Sequence, residues 1–135
     1  MHFFDLSTTL NTMNTTKSKK IGNLGEQISL NFLINKGFKL VEKNWEKHKI
    51  GEIDIIVKKD GILYFVEVKT TAILNPNYSP LEHLDNRKLK KFQRIVNHYL
   101  IDKNIIDSEY KISAILCYLN NETKKAKINF IENFY

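Results

Sequence analysis

The chain has 135 residues, with 21 Lys and Arg against 15 Asp and Glu, for a formal net charge of +6 at pH 7. A hydrophobic share of 42% is enough for one core in a chain of domain size, which excludes a wholly disordered tail, a collagen or a low-complexity fibre, and no uncharged apolar run approaches the roughly 18 residues of a membrane-spanning helix. The single cysteine, Cys117, excludes an internal disulfide framework and a multi-cysteine zinc site and makes the reducing cytoplasm the simplest compartment.

The positive charge is mostly lysine: 19 of the 21 cations, with only Arg87 and Arg94 as arginine, beside 15 Asn. A Lys/Asn excess follows from coding bias as readily as from a polyanionic partner, although the balance favours nucleic acid electrostatically.

Residues 1–19 read as a flexible N-terminal tail and 20–135 as a single domain. The tail is crowded with Thr and Asn, has no helical or strand period, and lacks the basic start and apolar stretch of a signal peptide. Phe3, Phe4 and Leu6 leave a docked arm as the alternative. Ile21, Leu24, Ile28 and Phe32 recur at helical spacing, predicting a helix over 20–36 with Gly37 just past its end. Glu26 falls off the centre of that apolar stripe. Residues 38–43 are a short strand candidate, and 44–50 read as a polar connection whose Trp45 and His48 are either ligand contacts or, for a loop Trp the commoner role, a lid on the core.

Two strong strands follow, 52–58 and 62–69, around an Asp60-Gly61 dipeptide suited to a two-residue hairpin turn. That turn sets a register. Val57 faces Tyr64, Ile55 faces Val66 and Ile53 faces Val68 on one apolar surface. On the other, Ile56 meets Phe65, Asp54 meets Glu67 and Glu52 meets Lys69. Opposed strand residues have Cβ atoms about 4.5–5.5 Å apart, and like charges there are unfavourable. Such an acid pair is relieved by a proton or by a shared cation. Two hard oxygen ligands suit Mg²⁺ or Mn²⁺. Lys69, two residues after Glu67 on the same face, suits the orientation of a nucleophilic water or the stabilisation of a crowded phosphate. Glu26 supplies a further carboxylate if the first helix crosses this face. The plainer account is a set of solvated charges on the open side of an amphipathic hairpin.

After a loop containing Pro76 and Pro80, Ser79-Pro80-Leu81-Glu82 has the form of a capping box, with Asp85 as a second cap. A long helix is predicted over 86–101, its core face made by Leu89, Phe92, Val96, Tyr99 and Leu100. Arg87, Lys88, Lys90, Lys91 and Arg94 are either an ordinary wet helix face or a track for a phosphate backbone. Residues 110–119, almost continuously apolar, read as a central strand, and 126–131 as a weaker one. The four histidines show no metal-ligand spacing, Cys117 reads as a small core residue, and there is no Gly-rich phosphate loop.

Gly51-Glu52-Ile53-Asp54-Ile55-Ile56 followed by Phe65-Val66-Glu67-Val68-Lys69-Thr70 resembles the signature of the YraN-like family of the restriction-endonuclease-like PD-(D/E)XK nuclease superfamily. Gly22-Asn23-Leu24-Gly25-Glu26, Gly37-Phe38, Asn44-Trp45 and Lys88 extend the likeness over about residues 20–119. The resemblance implies an α-β-β-β-α-β core with a mixed sheet flanked by helices. It implies that Asp54 and Glu67 bind a divalent metal with help from the Val68 carbonyl, that Lys69 assists catalysis and that Glu26 is an accessory acid. Archaeal Holliday-junction resolvases share this arrangement and work as dimers, so a homodimer is part of the implied picture. The family often has Arg where this chain has Thr71, and tends to carry Arg-Phe-Asp where it has Lys111-Ile112-Ser113. The expectation is a metal-dependent nuclease acting on nucleic acid, DNA before RNA, with Arg87, Lys88 and Lys91 as backbone contacts and no membrane partner. Its rival is a non-catalytic binding or interaction module that retains the fold.

Overall fold

The computed structural model describes residues 2–5, 18–72, 85–120 and 122–134. In chain order the elements are β1 (His2–Asp5), α1 (Ser18–Asn35), β2 (Lys39–Lys47), β3 (Gly51–Lys59), β4 (Ile62–Ala72), α2 (Asn86–Asp102), β5 (Tyr110–Asn120) and β6 (Lys125–Ile131). The strands form one sheet in the order β1-β6-β5-β4-β3-β2. Only the β4–β5 neighbours run parallel, as expected where α2 provides the crossover that a parallel pair needs. This is the mixed-sheet α-β-β-β-α-β core, with β6 and β1 added beyond β5.

Each face of the sheet is covered by a helix. Leu24, Ile28, Phe32 and Leu33 of α1 pack on Ile55, Val57, Val66, Ile115 and Cys117. Phe92, Ile95, Val96 and Tyr99 of α2 pack on Ile53, Ile56, Phe65 and Ile112 on the opposite face. With both faces covered, the central strands must be apolar on both, and β5 is buried at every position from Ile112 to Cys117. Cys117 is fully buried and burial raises its thiol to about 12, which suits core packing rather than nucleophilic chemistry.

Local chemistry explains the ends of the elements. α1 closes with the N–H of Gly37 on the Ile34 carbonyl and the N–H of Phe38 on the Leu33 carbonyl. Gly37 takes φ +92°, a left-handed cap that costs glycine little. At the N-terminus of α2 the Asp85 carboxylate accepts from the Lys88 backbone N–H at 2.9 Å. The alternative capping box at 79–82 lies outside the described residues. At the hairpin, Asp60 has φ +52° and Gly61 φ +79°, the paired positive angles of a tight two-residue turn.

Three expectations are corrected. Residues 44–47 are strand, not connection, because β2 continues to Lys47. As an edge strand it needs no apolar alternation, and its exposed Lys and Glu protect that edge. Residues 2–5 pair with β6, His2 opposite Ile128 and Asp5 opposite Lys125, so this part of the tail is an edge strand; four residues joined through their backbones leave no periodic signal. Finally, Ile53 packs under α2 rather than beside Ile55, for a reason that lies at the site.

Trp45 does close the core, edge-on to Tyr99 at 5.2 Å. No described helix is long and apolar enough to cross a membrane.

The approach of α1 to the sheet depends on Gly25. A Cβ there would fall 1.8 Å from Thr70 Oγ1 and 2.7 Å from Thr70 Cβ. Gly25→Ala is expected to lower stability by roughly 1–3 kcal/mol through overpacking. Gly22→Ala, on the same helix with nothing within 4 Å, should instead stabilise by up to about 1 kcal/mol. Urea unfolding of the two variants checks both signs.

Candidate metal and nucleic-acid site

The hairpin register holds from Lys59↔Ile62 to Ile55↔Val66 and then stops. Asp54 and Glu67 are therefore not a ladder pair, nor are Glu52 and Lys69, as the simple register requires. Instead the Val68 N–H donates to Asp54 Oδ2 at 2.8 Å. A side-chain carboxylate has taken the acceptor position that a strand carbonyl ordinarily fills. Strict alternation fails at the same residue, since Ile53 faces α2 while Ile55 and Val57 face α1.

The break brings the predicted residues together by another route. Asp54, Glu67 and Lys69 line one cavity of about 290 Å³, with Glu52 and Gly51 at its rim. Lys88 and Lys91 of α2 line it from across the gap, over a floor that includes Phe92, Ile95, Ile112 and Ser113. Arg87 stands outside this cavity and, with Asp85, Lys88 and Lys91, lines a neighbouring one of about 350 Å³. Asp54 also borders a cavity of about 280 Å³ on the α1 side, with Glu26, Asn23, Gln27, Lys43 and Asn44. Asp54 is thus the wall between two cavities, one against each helix.

The electrostatics follow from this position. Asp54 is only 7% exposed. Burial and then the nearby Glu67 charge raise its carboxyl from 3.8 to about 8, against the opposing effect of the Val68 N–H. Burial also raises Glu26, with Glu52 and Glu67 adding to the effect, while its hydrogen bond with Asp54 works the other way. Close carboxylates of this kind favour a protonated form, because each charge opposes ionisation of the other. Lys69 Nζ lies 3.1 Å from Glu67 Oε1, so the lysine neutralises one acid of the group, and among the described residues no ion pair reaches Asp54.

Does this set fit a divalent cation? Among the described residues no three His, Cys, Asp or Glu side chains form a ready-made ligand group. Glu26 lies on the α1 side of Asp54, so the carboxylates toward the Lys69 cavity are Asp54, Glu67 and Glu52. Carboxylates with no Cys or His among the lining side chains are hard-oxygen donors, the kind that suits Mg²⁺ or Mn²⁺ with several waters retained. Ionisation of Asp54, which burial and Glu67 oppose, is what such an ion would favour.

Of the residues that sequence reasoning singled out, Asp54, Glu67, Lys69, Lys88 and Lys91 line one cavity, and Glu26 lines the second one that Asp54 borders. It did not single out Lys43, placed in the 38–43 strand candidate, Asn44, placed in the polar connection, or Ser113, which is buried and donates through Oγ to the Glu132 carbonyl. The signal for Asn44 was its residue type: Asn is the non-glycine residue that most readily takes positive φ, and its φ is +53°.

The family model for the uncharacterised protein family UPF0102 matches residues 25–128. A UPF0102 protein of Clostridioides difficile (strain 630) is 36% identical over 118 residues, covering 87% of this chain and 98% of the relative. One from Clostridium novyi (strain NT) is 37% identical over 121 residues, covering 87% and 97%. One from Campylobacter jejuni subsp. doylei is 41% identical over 112 residues, covering 83% and 90%.

The Asp54 environment makes a pH prediction for the metal-free protein. The folded state keeps a proton that the unfolded chain releases near 3.8, and loses it only near 8. Folded protein therefore binds more protons between those values, and stability falls as pH rises through the interval. Asp54→Asn keeps an oxygen to accept from Val68 and carries no charge. Thermal melts at pH 5 and pH 8 should show a clear loss of Tm for the parent chain and a much flatter response for Asp54→Asn.

Proposed function

Because the chain belongs to the uncharacterised protein family UPF0102, the YraN-like family of the restriction-endonuclease-like superfamily, we propose that it is a metal-dependent nuclease hydrolysing phosphodiester bonds, with DNA the preferred substrate. One observation carries this reading: Asp54, Glu67 and Lys69 line a single cavity faced by Lys88 and Lys91. Acids alone could be structural, and lysines alone a wet surface. Three acids and an amine, Glu52, Asp54, Glu67 and Lys69, beside the two amines of α2 would let a phosphate meet both a metal site and its charge partners.

A divalent ion held by Asp54, Glu67 and the Val68 carbonyl would supply Lewis-acid activation of the phosphate and of a water. The remaining work falls to the chain itself. The Val68 N–H fixes Asp54 Oδ2 in place, so this carboxylate is aimed before substrate arrives and no reorganisation is needed as charge develops. Lys69 faces the same cavity and can exchange Glu67 for a phosphate oxygen, offsetting the negative charge that builds at phosphorus. Glu26 holds Asp54 by hydrogen bond from the α1 side and so orients it. Lys88 and Lys91, both exposed, grip phosphates flanking the scissile one, and Arg87 extends that contact into the adjoining cavity.

Incubation with single-stranded, duplex and branched DNA, with and without Mn²⁺, tests the reading. Cleavage should require the metal and vanish in Glu67→Ala and Asp54→Ala. Lys69→Ala should slow it by about 10²–10³-fold, as for loss of a transition-state donor. Lys88→Ala and Lys91→Ala should act mainly on binding, each lowering the salt-dependence slope by about 1. Nucleic-acid binding indifferent to both metal and Asp54→Ala would mark a non-catalytic module instead.

A further inference from the structure

The β2–β3 ladder has one gap inside its regular part. Glu42 pairs with Ile56, Lys43 with Ile55, Trp45 with Ile53 and Glu46 with Glu52. The missing pair in that series is Asn44 with Asp54. Asn44 has a left-handed backbone, φ +53°, at a place where both neighbours are strand. A residue so turned cannot present its peptide groups to a straight partner strand, because extended pairing needs negative φ on both sides.

The consequences run across β3. Its other ladder ends at Ile55↔Val66, so the chain at Asp54 leaves regular pairing with both neighbouring strands at once. The side chains on either side of it change face: Ile53 under α2, Ile55 under α1. The released Asp54 carboxylate then accepts from Val68 and reaches cavities on both faces of the sheet. In a continuous ladder Asp54 would project to one side only.

We propose that Asn44 is a positioning residue: its left-handed backbone holds β3 open at Asp54, so that one carboxylate serves both the Lys69 cavity and Glu26. The role is conformational. The Asn44 amide borders the α1-side cavity but does its work through the main chain. The inference deepens the nuclease reading and rests on it only where metal binding is used as the measure.

The test separates backbone from side chain. Asn44→Gly deletes the amide and keeps the left-handed conformation at no steric cost. Asn44→Val deletes the amide and disfavours that conformation, since a β-branched residue is a true outlier there; Asn44→Ala is a milder version should Val fail to fold. Two readouts apply to each variant. One is Mn²⁺ affinity by calorimetry. The other, independent of metal, is the chemical shift and hydrogen exchange of the Val68 amide, which reports its bond to Asp54. The expectation is that Gly stays within about 2-fold of the parent affinity and leaves Val68 unmoved. Val or Ala should lose about 10–100-fold, the range for losing a supporting contact, with a shifted and less protected Val68 amide. Gly failing as badly as Val or Ala would assign the role to the amide and overturn the proposal. So would a Val68 amide that no substitution moves. If the parent chain binds no Mn²⁺, the metal reading falls and the Val68 amide alone decides the inference.

Discussion

The hydrogen bond from the Val68 backbone to Asp54 is the contact on which the site depends. It is 2.8 Å long and replaces a rung of the β3–β4 ladder. A buried carboxylate accepting one backbone N–H, with two other acids close by and Lys69 paired to Glu67, is in debt for charge. The protein without metal offsets that debt with a proton, which is why Asp54 titrates far above an ordinary Asp. The same geometry that favours the proton underlies the proposed cation site. In that proposal stability and chemistry are set against each other at one residue, as is common where a charged group is held ready for use.

The surrounding fold serves to keep that residue in place. α1 lies close on β4 because Gly25 offers no side chain to Thr70, and that closeness brings Glu26 to Asp54. α2 lies close on β3 at Gly51, where a Cβ would fall 2.5 Å from Ile95 Cδ1, and that closeness brings Lys88 and Lys91 over the cavity. Two glycines on opposite faces thus set the depth of the site, while Phe65, fully buried and edge-on to both Tyr99 and Tyr110, anchors the strand between them.

Much of this was legible in the residues. The Asp60-Gly61 turn and the apolar alternation around it led to the register observed over Ile55–Lys59, and helical spacing placed both helices within two residues of their ends. That Asp54, Glu67 and Lys69 would lie near one another was legible from their place beside the hairpin, and the structure puts them on one cavity. The break at Asp54 was not, since it arises from the conformation of Asn44 on a neighbouring strand, and residue type alone does not tell a turn Asn from one inside a strand. The full length of β2 was hidden for a related reason: an edge strand rich in Lys and Glu has the composition of a loop. β1 was hidden because backbone pairing at a sheet edge leaves little trace in side-chain pattern.

The balance of charge in the cavity bears on the departures from the family pattern. Glu52, Asp54 and Glu67 face Lys69, Lys88 and Lys91, so the formal charges cancel when all six are ionised. Ser113, where the YraN-like family tends to carry Asp, lines the same cavity and is spent on a backbone carbonyl. An acid there would add a fourth negative charge and weaken the attraction of the site for phosphate. With Ser113 in its place, a divalent ion at Asp54 and Glu67 would tip the cavity to a net positive charge, at low dielectric and close range where each unit counts most. Ser113 in place of an acid therefore removes none of the proposed metal ligands and spares the cavity a further negative charge, while Thr71, with its hydroxyl turned to the Ala72 carbonyl, offers no cation and leaves Lys69, Lys88 and Lys91 as the positive charges of the cavity.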